Sequence, residues 1–129
     1  MTAEKQPTPY ELIGGEVALQ KLVDRFYHYM DVVPEAKTVR NMHTDDLERV
    51  KDKLFKFFSG WLGGPDLYQQ EFGHPRLRRR HFPFTIGIEE RDQWMACMDK
   101  ALNDMDIDES LKQSIRQALF QLATHMVNS

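Results

Sequence analysis

This chain of 129 residues contains a single cysteine, Cys97. A single thiol excludes an internal disulfide and is typical of a reducing compartment, so the sequence predicts a cytoplasmic protein. Long apolar runs are also missing. The first ten residues lack the apolar stretch of a signal peptide, and no segment approaches the roughly 20 apolar residues of a membrane-spanning helix. We therefore expect a soluble protein with no membrane partner.

The sequence also lacks a large net charge and several familiar catalytic motifs. A net charge of −3 argues against nucleic acid as a partner, because such binding needs a broad positive field. There is no nucleophile elbow, phosphate loop, paired-cysteine zinc signature or HExxH motif, which excludes the chemistries that depend on them. Composition is otherwise that of a globular protein, and we expect one domain over residues 10–129 after a flexible extension over residues 1–9.

Hydrophobic periodicity predicts four long helices and no strand, and therefore an all-α fold. Apolar residues recur at steps of three and four over residues 16–30, 46–61, 89–105 and 108–127. Pro7 and Pro9 predict an extended or unstructured start, and Gly14-Gly15 marks the point where the first helix begins. Gly63-Gly64-Pro65 ends the second helix. Around Pro34 the pattern fails, which predicts a short, partly helical connection.

The segment over residues 66–87 differs from the rest, because two glycines and two prolines interrupt it too often for a long helix. We predict an irregular loop with short turns, and loops of this length in small domains are usually functional. The segment carries His74, His81 and the arginine-rich residues 76–80.

Histidine is the residue type in this chain whose settings call for explanation. His28 and His125 lie on predicted helices among polar neighbours, so we expect both at the surface. His74 precedes a proline, where a structural hydrogen bond in a turn is expected. His81 stands between the arginine-rich residues 76–80 and the apolar Phe82-Pro83-Phe84. An iron porphyrin needs an axial imidazole, apolar walls and cations near its propionates, so this setting fits haem. From the residues alone, a solvated basic loop remains an equal alternative.

The order of short motifs along nearly the whole chain resembles that of group II truncated haemoglobins. The matching strings are Tyr-Glu-Leu-Ile-Gly-Gly at 10–15, Arg-Phe-Tyr at 25–27, Gly-Gly-Pro at 63–65, Gly-His-Pro-Arg-Leu-Arg at 73–78, Arg-His-Phe-Pro-Phe at 80–84 and Glu-Arg-Asp-Gln-Trp at 90–94. The resemblance implies a truncated globin, a two-over-two helical sandwich with an irregular loop before the proximal histidine. It also implies that His81 is the proximal ligand of the haem iron.

The same resemblance implies a distal pocket on the other side of the haem. Tyr27 from the first long helix and Trp94 from the third would line it, together with His43 from the connecting segment. Val50 and Leu54 would face the ligand from the second long helix, and their apolar side chains leave hydrogen bonding to the other three residues. A phenolic O–H and an indole N–H are suitable donors to a ligand that carries partial negative charge. Without the resemblance, both aromatic residues would be interpreted as core residues.

The remaining cofactor contacts are expectations that build on the resemblance. Lys53 and Arg80 are the candidate partners of the propionates, although long exposed cations often pair only with water. The expected contacts to the porphyrin ring are Phe58, Leu77, Phe84 and Met98. Cys97 is interpreted as a core residue rather than a reactive thiol.

Three functions remain open at this point. The first is reversible binding of dioxygen, nitric oxide or carbon monoxide at a haem b iron, either five-coordinate or weakly six-coordinate with His43 or Tyr27 as sixth ligand. The second is a haem redox enzyme with nitric oxide dioxygenase or peroxidase-like activity, which would need a reductase partner for sustained turnover. The third is a cofactor-free helical interaction module that uses residues 76–80. For the quaternary structure we expect a monomer or a weak homodimer.

Overall fold

This computed structural model describes residues 7–41, 47–76, 79, 81 and 85–128. Seven α-helices and one 3₁₀ turn have bounds within these ranges, and residues 79 and 81 are also helical. In chain order the elements are α1 Pro9–Ile13, α2 Gly15–Val32, the 3₁₀ turn Pro34–Ala36, α3 Lys37–Asn41, α4 Leu47–Trp61, α5 Leu67–Phe72, α6 Ile88–Asn103 and α7 Glu109–Met126. Within these residues there is no β-strand. The prediction of an all-α fold with four long helices is confirmed.

The long helices pack as two layers of two. Helix α2 packs against α4 in one layer, α6 packs against α7 in the other, and the layers meet where α2 contacts α6. The predicted apolar stripe of α2 is buried as expected, through Leu19, Leu22, Val23, Phe26, Tyr27 and Met30. Helices α6 and α7 contribute Met98, Leu102, Ile115 and Leu119 to the same core. Among the helices described here, none is both long and apolar enough to cross a bilayer.

A short helix precedes Gly14, where the sequence predicted only an extended or unstructured N-terminal segment. Pro9 begins α1, a position where its missing N–H costs nothing, and the hydroxyl of Thr8 accepts a hydrogen bond from the N–H of Glu11 at 3.2 Å. The helix ends at Gly14, whose φ of +116° suits glycine. Five residues are too few to show a helical period, so the N-cap residue Thr8 was the sequence feature that could have predicted this helix.

Helix α1 rests on the corner that follows α4. The N–H of Tyr10 donates to the carbonyl of Leu62 at 3.0 Å, and its ring covers Gly64 so closely that a Cβ there would lie 2.5 Å from the ring. The buried hydroxyl of Ser59 donates to the carbonyl of Pro65 at 2.6 Å. The Tyr10 ring explains why glycine stands at position 64, and at Gly63 the φ of +92° and the Thr8 side chain, 2.9 Å from a Cβ built there, leave room for glycine alone.

The segment after this corner contains the six-residue α5 and, as predicted, no long helix among its described residues, of which 73–76 and 85–87 are irregular. The Lys56 ammonium pairs with Asp52 at 2.7 Å and also with Glu71, which ties α5 to α4. Arg76 has a φ of +47°, so the chain turns sharply there. Beyond it, only residues 79 and 81 are described before residue 85.

A three-residue polar cluster joins α2 to the end of α6. The carboxylate of Asp104 accepts hydrogen bonds from the Tyr29 hydroxyl at 2.6 Å and from the Arg25 guanidinium at 2.7 Å. Arg25 also donates to the Tyr29 hydroxyl at 3.0 Å. Both hydrogen bonds lower the pKa of the Asp104 carboxyl group, and the bond from Tyr29 has the larger effect. This cluster holds α2 against the C-terminal end of α6.

Candidate functional site

Tyr27 and Trp94, the predicted distal donors, lie on the two helices that cross in the core. The ring of Phe26 contacts both, with its centroid 4.9 Å from that of Tyr27 and 5.1 Å from that of Trp94. Both contacts are edge to face, with interplanar angles of 69° and 62°. The crossing of α2 and α6 therefore brings the two residues together, through an aromatic side chain that the sequence analysis did not single out.

The surroundings of the two aromatic donors differ. Tyr27 is only 4% exposed, and this burial raises the pKa of its phenol well above the ordinary range. The phenol therefore stays neutral and keeps its proton for hydrogen bonding. Trp94 is half-buried, at the edge of the core. The pair thus combines a dry hydroxyl donor with an indole donor that is nearer to solvent.

Helix α4 presents an incompletely covered apolar face. Its half-buried members lie three and four residues apart and are Val50, Leu54, Phe57 and Trp61. The apolar stripe of a helix is normally buried against its neighbours. On α4 the large side chains remain partly exposed to water, so this face offers surface to a further apolar group.

Lys53 lies on α4 beside this apolar face. Its side chain is half-buried, and the ammonium stands 5.5 Å from the centroid of the Phe72 ring on α5. Among the described residues no carboxylate pairs with Lys53, whereas Lys51 pairs with Glu48 at 3.3 Å. A half-buried cation beside an apolar face suits the acidic edge of a porphyrin.

His81 is half-buried and in a helical conformation. Its backbone carbonyl accepts a hydrogen bond from the side-chain amide of Asn128, at 3.3 Å. His28 and His125 are exposed, as predicted. His74 is also exposed, and its Nδ1 accepts a hydrogen bond from the N–H of Arg76 at 3.1 Å, which confirms the structural role predicted for it.

Several predicted site residues lie outside the described part of the chain or in its core. Those outside it are His43, Leu77, Arg80 and Phe84. Phe58 is 2% and Met98 0% exposed, so both are core residues, and their contact with a porphyrin ring remains a prediction. Cys97 is fully buried, and its burial raises the pKa of the thiol to about 11. This agrees with its interpretation as a core residue.

The donor set described here suits haem better than a bare metal ion. No three residues of the described ranges, drawn from His, Cys, Asp and Glu, come together to hold a metal. A porphyrin supplies the equatorial ligands of its iron, so one imidazole from the protein is enough. The described residues include an imidazole at His81, an incompletely covered apolar face on α4 and a half-buried cation at Lys53, which are the kinds of group that a porphyrin needs.

An open groove lies between α6 and α7, and none of the predicted site residues lines it. Its lining residues are Asp92, Met95, Ala96, Asp99, Gln113, Arg116, Gln117 and Phe120. Asp99 and Arg116 pair across it at 2.7 Å. The α6 residues of this lining lie on a different face of that helix from Trp94. The groove contains no histidine and is not part of the candidate site.

Comparison with known proteins gives one consistent answer. Residues 8–128 match the model of the bacterial-like globin family. The chain is 39% identical over 120 residues to group 2 truncated hemoglobin YjbI of Bacillus subtilis (strain 168), which covers 93% of this chain and 88% of that protein. It is similar, with a TM-score of 0.92 and 46% identity, to the cold-adapted truncated hemoglobin of the Antarctic marine bacterium Pseudoalteromonas haloplanktis TAC125, over 95% of this chain and 99% of that one. The group II 2-on-2 hemoglobin of the plant pathogen Agrobacterium tumefaciens has a TM-score of 0.92 and 39% identity, with 98% of each chain covered.

Proposed function

The chain belongs to the bacterial-like globin family, as a group II truncated haemoglobin that binds haem and a diatomic gas, and from this premise we propose that His81 is the proximal iron ligand. We further propose that the gas is dioxygen, held in a distal pocket by Tyr27 and Trp94. The observation that carries this proposal is the aromatic set at the crossing of α2 and α6, where a buried neutral phenol and an indole both contact Phe26.

The haem supplies a metal that donates charge to a diatomic ligand, and the chain supplies the environment of that ligand. The hydroxyl of Tyr27 and the indole N–H of Trp94 donate hydrogen bonds to a partly negative ligand. Val50 and Leu54 offer no hydrogen bonds and exclude water, which strengthens the bonds that the two donors make. Lys53 is proposed to bind a propionate, in a role shared with Arg80.

The cofactor is proposed to be haem b, bound without a covalent link. Covalent attachment of c-type haem uses a C-x-x-C-H motif, which this sequence lacks. The single thiol, Cys97, is fully buried in α6. A buried, unpaired thiol also supports the proposed cytoplasmic location.

The resting iron is proposed to be five-coordinate or weakly six-coordinate. Ligation by Tyr27 would require its phenolate, and burial opposes that form. Tyr27 is therefore favoured as a donor, and His43 is the remaining candidate for the sixth ligand. Resonance Raman spectra of the His43→Ala variant test ligation by His43. Loss of a six-coordinate low-spin component supports that ligation, and an unchanged spectrum refutes it.

A cavity variant tests the role of His81. In His81→Gly we expect loss of tight haem binding and of the iron–histidine stretching band, and added imidazole should restore both. His74→Gly is the matched control, because His74 is an exposed histidine of the same segment. A His81→Gly protein that keeps the fifth-ligand signature of the wild type, without imidazole, would refute the proposal.

Redox chemistry on the ligand is the second candidate function, with nitric oxide dioxygenation or peroxidase-like turnover as the reactions and a reductase as partner. It is favoured by the half-buried position of Trp94, next to Phe26 and nearer to solvent than Tyr27. An aromatic side chain in such a position is suited to donate an electron. Stopped-flow mixing of the oxygenated protein with nitric oxide, and steady-state assays with peroxide, separate the enzyme from the carrier. The proposal of a cofactor-free module is not supported, because the family binds haem.

A further inference from the structure

Asn128, two residues beyond the end of α7, hydrogen-bonds to the segment that contains His81 through its backbone and through both ends of its side-chain amide. Its backbone N–H donates to the carbonyl of Ile86 at 2.8 Å. Its side-chain oxygen accepts from the N–H of Ile86 at 2.9 Å, and its side-chain nitrogen donates to the carbonyl of His81 at 3.3 Å. One residue near the end of the chain therefore holds both ends of the stretch from His81 to Ile86.

These bonds satisfy backbone groups that lie outside the long helices. Ile86 is half-buried and precedes α6, so neither its N–H nor its carbonyl is paired within a helix. Backbone groups that are removed from water need a partner, and Asn128 supplies one to each. The contact is also long in sequence, since 47 residues separate His81 from Asn128.

We propose that Asn128 is a positioning residue for the proximal histidine: it holds the backbone at His81 and at Ile86 and, through the His81 carbonyl, limits the direction of the imidazole. This inference rests on the proposed role of His81 as the iron ligand. A side chain leaves its backbone in a direction set by the backbone itself. A carbonyl held by Asn128 therefore limits how far the imidazole can tilt or withdraw.

The amide side chain is the chemical feature that this role requires. It offers a donor to His81 and an acceptor to Ile86 at the same time. An aspartate at this position would keep the acceptor, lose the donor and bring a negative charge towards the His81 carbonyl. An alanine would lose the side-chain bonds to His81 and Ile86 and keep the backbone bond to Ile86.

The test uses the haem-loaded protein with Asn128→Asp and Asn128→Ala. The readouts are the iron–histidine stretching frequency of the ferrous form, measured by resonance Raman, and the rate of hemin transfer to an excess of an acceptor protein. We expect a shifted or broadened band in both variants and hemin loss faster by about threefold to tenfold, the equivalent of one net hydrogen bond. Asn103→Asp and Asn103→Ala are matched controls, because Asn103 is an exposed asparagine at the end of α6.

The experiments distinguish failure of the proposal for Asn128 from failure of the proposed function. An unchanged band in both Asn128 variants overturns the proposal, even if unfolding is easier, because a purely structural contact would not reach the iron–histidine bond. Asn128→Asp supplies the result if Asn128→Ala does not fold. If His81→Gly keeps the fifth-ligand signature of the wild type, the proposed function itself fails, whatever the Asn128 variants show.

Discussion

Removal of a single oxygen atom, in Tyr27→Phe, tests the distal pocket most directly. The ring stays the same size, so its contact with Phe26 at 4.9 Å and the packing of α2 are preserved. Tyr27 is almost fully buried, so water cannot easily replace the lost hydroxyl. A hydrogen bond to a charge-bearing acceptor contributes about 1.5–3 kcal/mol. The expected result is dioxygen dissociation that is faster by about tenfold to a hundredfold.

The assay for Tyr27→Phe is displacement of dioxygen by carbon monoxide in a stopped-flow instrument. Tyr29→Phe is the matched control, because Tyr29 lies on the same helix and bonds to Asp104 instead. We expect its dissociation rate to stay close to that of the wild type. A Tyr27→Phe protein that is folded and releases dioxygen at the wild-type rate would refute the hydrogen bond on which the proposed pocket depends.

Three further predictions concern the cofactor, the fold and acid stability. Lys53→Met should lose hemin about twofold to fivefold faster in transfer assays, and Lys51→Met, which breaks only a pair with Glu48, should not. Gly64→Ala should destabilise by about 1–3 kcal/mol in urea unfolding because of the Tyr10 ring, and this cost should largely disappear in a Tyr10→Ala background. Asp104→Asn should be less stable than the wild type at neutral pH. Because the folded-state pKa of Asp104 is lowered, the difference should vanish as the pH falls through that pKa, and persistence at acid pH would contradict the role of the charge.

The long helices could be predicted from the sequence because each carries a complete apolar stripe. The pattern over residues 46–61 corresponds to α4 at Leu47–Trp61, and the pattern over 108–127 to α7 at Glu109–Met126. Short elements have too few residues for a period to appear. Helix α1 is therefore missing from the sequence analysis, and α5 was anticipated only as a short turn.

The candidate site was predictable only in part, for a different physical reason. Tyr27 and Trp94 were identified through the resemblance, since an aromatic residue on an apolar stripe is equally well a core residue. Phe26 and Asn128 were missed because their roles depend on contacts between residues far apart in the chain. No local pattern marks Asn128 as a partner of Ile86, 42 residues earlier. Such pairs become visible only when the helices are packed.

The two sides of the proposed haem site are supported in different ways. The proposed distal donors Tyr27 and Trp94 lie within long helices whose own hydrogen bonds and core packing fix them, and the bond between Arg25 and Asp104 adds a further restraint between those helices. His81 lies in a segment rich in glycine and proline, and none of the described residues from 66 to 87 belongs to a long helix that could fix it. Its position must therefore come from contacts with the rest of the fold, and Asn128 provides one of them. Substitutions that loosen the C-terminal end should thus affect the proximal side first, while the distal donors keep their places.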